Sequence, residues 1–268
     1  MAMKKLRFSG DTTLWAFIAL LVFWYLFSVT LKVAFLPSPV AVLQNIFFHF
    51  ISGGMYLHLF ASLGRIAAGI AISLLIGLAI GLSMGYFPRF DEVFSPLVYL
   101  LYPIPKIALL PLVMLICGLG EAAKVTMIVL IVVFQVTVSS RDAAKAIPQE
   151  TYACLKVLGA SHKTMFRRVV FPATLPAIFS SLRVSMGTAL SVLFFTETFG
   201  ARYGMGYYIM NSWTRVNYVD MFTGIVLLGL LGYVLFAVID GLYLRCCRWQ
   251  PLGEKHGGEG VSLERSVK

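Results

Sequence analysis

Residues 66–88 read IAAGIAISLLIGLAIGLSMGYFP, an unbroken run with no charged side chain between Arg65 and Arg89. A helix needs about 20 predominantly apolar residues to cross roughly 30 Å of hydrocarbon, and this run suffices. Working outward, Thr12 to Leu31 lies uncharged between Asp11 and Lys32, and Val93 to Gly120 is apolar apart from Lys106. Val125 to Ser140 is a shorter run, Ala177 to Gly200 carries Arg183 and Glu197, and Met221 to Leu244 carries Asp240. These runs predict six spans, at about residues 12–32, 64–87, 93–119, 122–140, 177–200 and 221–244. The expected fold class is all-α integral membrane, with one transmembrane domain over residues 1–268 and a loop at 141–176.

Composition agrees with that reading. Hydrophobic residues make up 59% of the 268 and charged residues 13%, against about 45–50% and about 25% in soluble domains. An ordinary soluble globule, a disordered chain and a disulfide-stapled secreted domain are all excluded. The formal net charge of +10 would suggest nucleic acid in a polar protein, but here it gathers in loops. Lys4, Lys5 and Arg7 precede the first span; Arg141, Lys145, Lys156, Lys163, Arg167 and Arg168 fill the long loop; Arg245, Arg248, Lys255, Arg265 and Lys268 follow the last span. Residues 33–64 hold no lysine or arginine, and residues 201–220 hold only Arg202 and Arg215. The positive-inside rule then places both termini and the 141–176 loop in the cytoplasm, and no nucleic-acid partner is expected. The first apolar run is too long for a cleavable signal peptide and lacks a small-residue cleavage site after it.

Cys117, Cys154, Cys246 and Cys247 show no metal-ligand spacing, and neither disulfides nor a metal site is expected from them. His49, His58, His162 and His256 are scattered, and no convergent set of histidines and acids suggests a membrane-embedded enzyme. Pro37-Ser38-Pro39 ends the first span, and Val40, Leu43, Phe47 and Phe50 then recur at near-helical spacing up to Gly53-Gly54. That pattern predicts a short helix lying on the outer surface. Gly77 and Gly81 form a small-xxx-small step, which packing within the chain satisfies.

Two places inside the spans break the apolar rule. Tyr102-Pro103-Ile104-Pro105-Lys106 puts two prolines into the third span, removing two backbone donors and breaking the helix. Irregular backbone at membrane depth is tolerated only where protein or a water-filled cavity covers it, and transporters place substrate sites at such breaks. Two readings fit Lys106: a cation facing a pore, or one at the cytoplasmic edge of a span that begins later. Tyr99 and Tyr102 supply either hydroxyls and an aromatic wall or plain helix packing. In the fifth span Arg183 and Glu197 are 14 residues apart, about 21 Å along a helix. They cannot pair with each other, so each requires a partner from another span or water. Tyr99, Tyr102, Pro103, Pro105, Lys106, Arg183 and Glu197 are therefore the candidate pore and substrate residues.

In the 141–176 loop, Pro148 and Glu150 favour a helix start, Gly159-Ala160-Ser161 a stop, and Ser161 a cap for the next stretch. Pro172 and Pro176 lead into the fifth span. A short helix exposed among basic residues suits docking to a partner.

This loop resembles the signature of the permease subunits of binding-protein-dependent ABC importers: Glu-Ala-Ala, three residues, Gly, nine residues, then Ile-x-Leu-Pro. Here Gly159 is followed after nine residues by Val169-Val170-Phe171-Pro172. Ala153-Cys154-Leu155 stand at the Glu-Ala-Ala positions, so the glutamate is absent. Leu36-Pro37-Ser38-Pro39, His58-Leu59, Ser62-Leu63-Gly64-Arg65, the stretch from Pro103 to Leu112, Gly118-Leu119-Gly120-Glu121, and Glu197 with Gly204-Met205-Gly206 resemble the nitrate, taurine and aliphatic-sulfonate permease branch. The resemblance implies the type I (MetI-like) importer permease fold in a bacterial inner membrane. It further implies a pore formed by two permease copies, an external substrate-binding protein, and two ATPase subunits docked on a coupling segment made of Ala153, Cys154, Leu155, Gly159, Ala160, Ser161 and Pro172. The chain lacks a G-x-x-x-x-G-K-[ST] phosphate loop, so ATP and Mg belong to the ATPase, and this chain is expected to be neither an enzyme nor a cofactor carrier. The solute expected from the branch is a small oxyanion such as a sulfonate, taurine or nitrate, with Lys106 supplying a positive field. Relatives also carry thiamine-precursor pyrimidines, riboflavin or aromatic acids. A secondary transporter is the rival class, without an obvious inverted repeat to support it.

Overall fold

A stripe of small residues, Gly69, Ser73, Gly77, Gly81 and Gly85, recurs every fourth position along helix α3 (Gly54–Tyr86). Its glycines lie against Ile128, Val136, Ser140 and Ala144 of α6 (Glu121–Lys145). Removing Cβ atoms lets two backbones approach closely, which is how helices gain contact where lipid supplies no hydrophobic drive. The contact numbers rise together along both helices, so α3 and α6 run parallel. The chain between them must therefore return across the full depth of the bundle.

That return is the broken segment. In this computed structural model, which describes residues 10–31, 33, 35–157 and 159–249, α4 (Pro88–Leu101) and the following helical piece Lys106–Cys117 meet at 81°. The second piece is a 3₁₀ turn, Lys106–Leu109, leading into α5 (Leu110–Cys117). The span expected at 93–119 is thus two helices, broken where the two prolines predict. Pro103 and Pro105 carry no N–H for the helical ladder, and the turn closes instead through the Ile104 and Ala108 amides. Counted as one span, the bent pair joins α1 (Gly10–Leu31), α3, α6, α9 (Phe171–Glu197) and α11 (Tyr218–Cys246) to give, among the described residues, six passes long and apolar enough to cross a membrane.

The rest of the bundle builds on the α3–α6 spine. Helix α9 runs antiparallel to α6, with Ser181 donating to the Gln135 carbonyl and Ser139 to that of Ala177. Helix α11 runs antiparallel to α9, with Gly232 against Leu190 and the Tyr243 ring 6.0 Å from Phe179. The core between these helices is apolar, centred on Ile66, Met127, Ile128, Val132, Met186, Ala189 and Leu193. Apolar side chains also face outward, α1 most of all, as a lipid-facing surface requires. Helix α1 meets the bundle where Trp24 stacks on Phe222.

Helix α2 (Pro39–Ser52) is capped by Ser38, whose hydroxyl accepts the Ala41 amide, and is closed by Gly53 at φ 79°. Val40, Leu43 and Phe47 form its exposed apolar face, whereas Val42, Ile46 and Phe50 pack inward. The expected short helix is present, with one member of its stripe, Phe50, turned to the protein. The long loop folds as α7 (Gln149–Val157) and α8 (His162–Met165). Pro172 and Pro176 do not precede the fifth span but sit inside it, because helix continues from His162 to Glu197. A π-helical stretch, Phe166–Val170, makes this possible: the Phe171 amide reaches back to the Phe166 carbonyl, widening the helix just before Pro172 removes a donor. Lys4, Lys5, Arg7, Lys32, Leu158, Lys255, His256, Arg265 and Lys268 lie outside the described residues.

Candidate functional site

Three regions hold the residues singled out from sequence, and they lie at different depths.

At the end of the bundle where α3 finishes, α7 packs on the body through Tyr152, whose ring lies 6.0 Å from that of Tyr86. Burial, with Tyr86 adding to it, pushes the Tyr152 hydroxyl above its ordinary pKa, so it stays neutral. The Tyr86 hydroxyl in turn meets His162 Nδ1 of α8 at 2.9 Å. Gly159 ends the helix at φ +75°, a left-handed conformation that only glycine adopts freely, and the Ala160 amide donates to the Leu155 carbonyl. Ser161 caps α8 by accepting the Thr164 amide. Ala153, Cys154 and Val157 are left exposed, Val157 at 88%. The face with no work inside the chain is thus small and apolar, flanked by exposed Glu150 and Lys156. Pro172 belongs to α9 rather than to this face.

At mid-depth lies the helix break. Lys106 sits 4.7 Å over the ring of Phe134, which is about halfway along α6. Its ammonium donates to the Leu101 carbonyl (2.8 Å) and the Tyr102 carbonyl, where a cation complements the end of α4. Among the described residues it has no carboxylate partner. A cavity of about 390 Å³ opens beside it, lined by Tyr102, Gln135, Thr188 and Ser191 among apolar neighbours. The Gln135 Oε1 is buried without a hydrogen-bond partner. Tyr102 and Gln135 also border a second cavity of about 430 Å³, which Ser139, Ser180, Ser181 and Ser185 carry toward the α7 end. Tyr102 therefore lines the opening, whereas Tyr99 does not: its ring faces Arg141 at 5.8 Å. Pro103 and Pro105 shape the turn without lining the cavity. Gln135, Thr188, Ser191 and the serines escaped sequence reading. The available signal was their polarity within apolar spans, although helix packing uses the same residue types.

At the far end lies a buried charge network. Glu197, a pore candidate from sequence, is 0% exposed and presents no surface to a solute in this structure. Arg65 Nη1 donates to Glu197 Oε1 (2.7 Å) and to the Tyr203 carbonyl (2.7 Å), while its Nη2 donates to Glu121 (2.6 Å). The Ser62 hydroxyl and the Gly206 amide donate to Glu197, both at 2.8 Å to the nearer oxygen. Lys124 Nζ turns back onto the Leu119 and Gly120 carbonyls. Gly204, at φ 138°, lies so close that a Cβ would fall 2.5 Å from the Glu197 carboxyl. One carboxylate and one guanidinium thereby join α3, α6, α9 and α10 (Met205–Thr214). Arg183 finds its partner in Asp240 of α11, a half-exposed pair outside the Lys106 cavity. Both charges thus obtain partners from other helices, as their spacing along α9 requires.

The structure thus sets a broken helix beside a partly polar opening, with an exposed short helix at one end of the bundle. Residues 69–246 match the family model "Binding-protein-dependent transport system inner membrane component", and the chain belongs to that family. It is a multi-pass ABC importer permease, a transport component that works with a separate ATPase and a substrate-binding protein. The formylaminopyrimidine transport permease protein of Halalkalibacterium halodurans is 30% identical, covering 90% of this chain and 96% of its own length. The taurine transport system permease protein of Escherichia coli is 28% identical, covering 80% of each chain. The putative aliphatic sulfonates transport permease protein of Bacillus subtilis is 27% identical, covering 80% of this chain and 78% of its own. Among solved structures, an inward-facing conformation of the MetNI methionine ABC transporter superposes with a TM-score of 0.62 at 21% identity, covering 72% of this chain and 97% of that one. The fold is that of type I importer permeases.

Proposed function

We propose that this permease pairs with a second copy of itself to pass a small oxyanion, such as a sulfonate, taurine or nitrate, into the cytoplasm. The observation that carries this reading is the Lys106 ammonium at mid-depth, beside an opening that also offers the Gln135 amide and the Tyr102, Thr188 and Ser191 hydroxyls. An ammonium without a carboxylate partner favours an anion, and surrounding hydroxyl and amide donors replace part of its hydration. Taurine and sulfonate permeases among the relatives support the solute class. The formylaminopyrimidine relative keeps a neutral heterocycle as the second reading. The test is uptake in vesicles containing the permease, its ATPase and its binding protein, with taurine, nitrate and a pyrimidine offered separately. Lys106→Met is expected to lower anion uptake at least about tenfold while sparing assembly, since a tenfold change needs only about 1.4 kcal/mol at the barrier. Unchanged anion uptake sinks the field role.

In this reading both termini and the α7–α8 segment are cytoplasmic in a bacterial inner membrane, supported by six passes and by the basic residues at that end. Two ATPase subunits, carrying ATP and Mg, receive the two copies of α7. Closure of the ATPases then drives alternating access as a rigid-body rocking around the central cavity. The exposed Val157 is expected to sit in the ATPase groove. Val157→Asp should abolish co-purification of the ATPase with the permease while permease yield holds, because an unpaired charge there is desolvated on docking. Full retention of the ATPase would move the contact elsewhere.

A further inference from the structure

Helix α4 poses a problem of attachment. It has no buried residue of its own, yet its end sets the position of Tyr102 and Lys106. One polar side chain ties its beginning to the spine. Asp91 Oδ1 accepts from Arg141 Nε at 2.6 Å, its Oδ2 accepts from Arg141 Nη2 at 3.3 Å and from Lys145 Nζ at 2.5 Å, and Ser95 Oγ donates to Oδ1 at 2.9 Å. The carboxylate is 15% exposed and the Arg141 side chain 12%. Arg141 also lies over the Tyr99 ring, two turns further along α4. Arg141 and Lys145 stand on the last turns of α6, and α7 begins four residues after Lys145. Asp91, Lys145, Gln149, Tyr152 and Lys156 line one open groove of about 590 Å³ between α4 and α7.

The charges therefore sit where the docking segment, the spine and the pore-bearing helix converge. A bidentate guanidinium–carboxylate pair with a second cation has one preferred geometry, so it ties the start of α4 to the end of α6 in a defined register. We propose that Asp91 is a positioning residue that transmits movement of the α7 segment to α4, and through it to the Tyr102–Lys106 break. The inference rests on the ATPase acting through α7, and it concerns how that action reaches the cavity.

A test that needs no known solute reads the cavity directly. In the assembled transporter, with the chain's four cysteines replaced by serine, Ile104→Cys places one thiol at the cavity wall. Its labelling by a water-soluble maleimide is measured without nucleotide and with ATP plus vanadate. With Asp91 intact, nucleotide is expected to change the labelling rate at least about fivefold, the lower end of ordinary allosteric coupling. Asp91→Asn should abolish that response while the ATPase still co-purifies and hydrolyses ATP. The exchange Asp91→Arg with Arg141→Asp should restore it. If Asp91→Asn fails to accumulate, Lys145→Gln removes the more exposed partner and should reduce the response. A full response in Asp91→Asn, or in Lys145→Gln where that variant stands in, overturns the joint and leaves the coupling reading intact. No response with Asp91 intact overturns both.

Discussion

Replacing Glu197 with alanine should remove folded protein from the membrane, not retune what is transported. The carboxylate is fully buried and satisfies the Arg65 guanidinium, the Ser62 hydroxyl and the Gly206 amide at once. Removing one member of a buried pair leaves the other charge desolvated, which costs about 3–5 kcal/mol, a large part of the roughly 5–15 kcal/mol that holds a typical fold. Arg65 keeps Glu121 on its Nε and Nη2, so what the alanine variant strands is Nη1, the Ser62 hydroxyl and the Gly206 amide, which lose their shared buried acceptor. Glu197→Gln keeps the shape and the acceptor oxygen for Ser62, so its loss should be smaller. The measurement is the melting temperature and monodisperse yield of the detergent-solubilised variants. If Glu197→Ala is as stable as the parent but transports a different solute, the carboxylate faces the pathway after all.

Glu197 also shows what a sequence can and cannot say about a membrane protein. That it needs a partner from another helix follows from helical rise alone. Which partner does not: Arg65 lies 132 residues away and Asp240 lies 57 residues from Arg183, and bundle topology brings these residues together. The six passes are legible because lipid forbids charge over long stretches, and the break is legible because proline lacks a donor. Ser161 and Gly159 are legible as caps because their demands are local. The depth of Lys106 is not local. It depends on how sharply the chain turns after Leu101 and on which ring of α6 it meets, neither of which Pro103 and Pro105 specify. Pro172 misleads for a related reason: a proline predicts a helix boundary, but a wider π turn before it absorbs the missing donor. The pore-lining hydroxyls are the least legible, since Ser180 and Ser191 resemble the buried Ser73 and Ser140 in every respect but exposure.

The architecture divides into a rigid part and a lightly held one. Helices α3, α6 and α9 share the apolar core and are locked together at the far end by Arg65 and Glu197. Helix α4, in contrast, contributes no buried residue and is tied by its Asp91 cluster. A transporter needs this division, because a solute pathway opens only if one element moves against a frame that does not.

That frame is expected to fail most completely at Gly81. A Cβ there would lie 2.1 Å from the Ser140 hydroxyl and 2.4 Å from the Thr137 carbonyl oxygen. The serine can rotate, but the carbonyl belongs to the α6 backbone and cannot yield without separating the helices. Gly81→Ala should therefore destabilise by at least about 1–3 kcal/mol, the usual range for overpacking, and Gly81→Val more, since its branches add to the same clash. Gly64→Ala on the same helix serves as the control, because a Cβ there meets nothing within 4 Å. Exchanging a helical glycine for alanine at an open position is neutral or stabilising by about 0.4–1 kcal/mol. Thermal unfolding of the three variants in one detergent separates the cases: a loss ordered Val worse than Ala at Gly81, with Gly64→Ala at or above the parent, places the effect in the α3–α6 contact. Equal losses at Gly81 and Gly64 would place it in the α3 backbone instead, and the close contact would no longer account for the stripe.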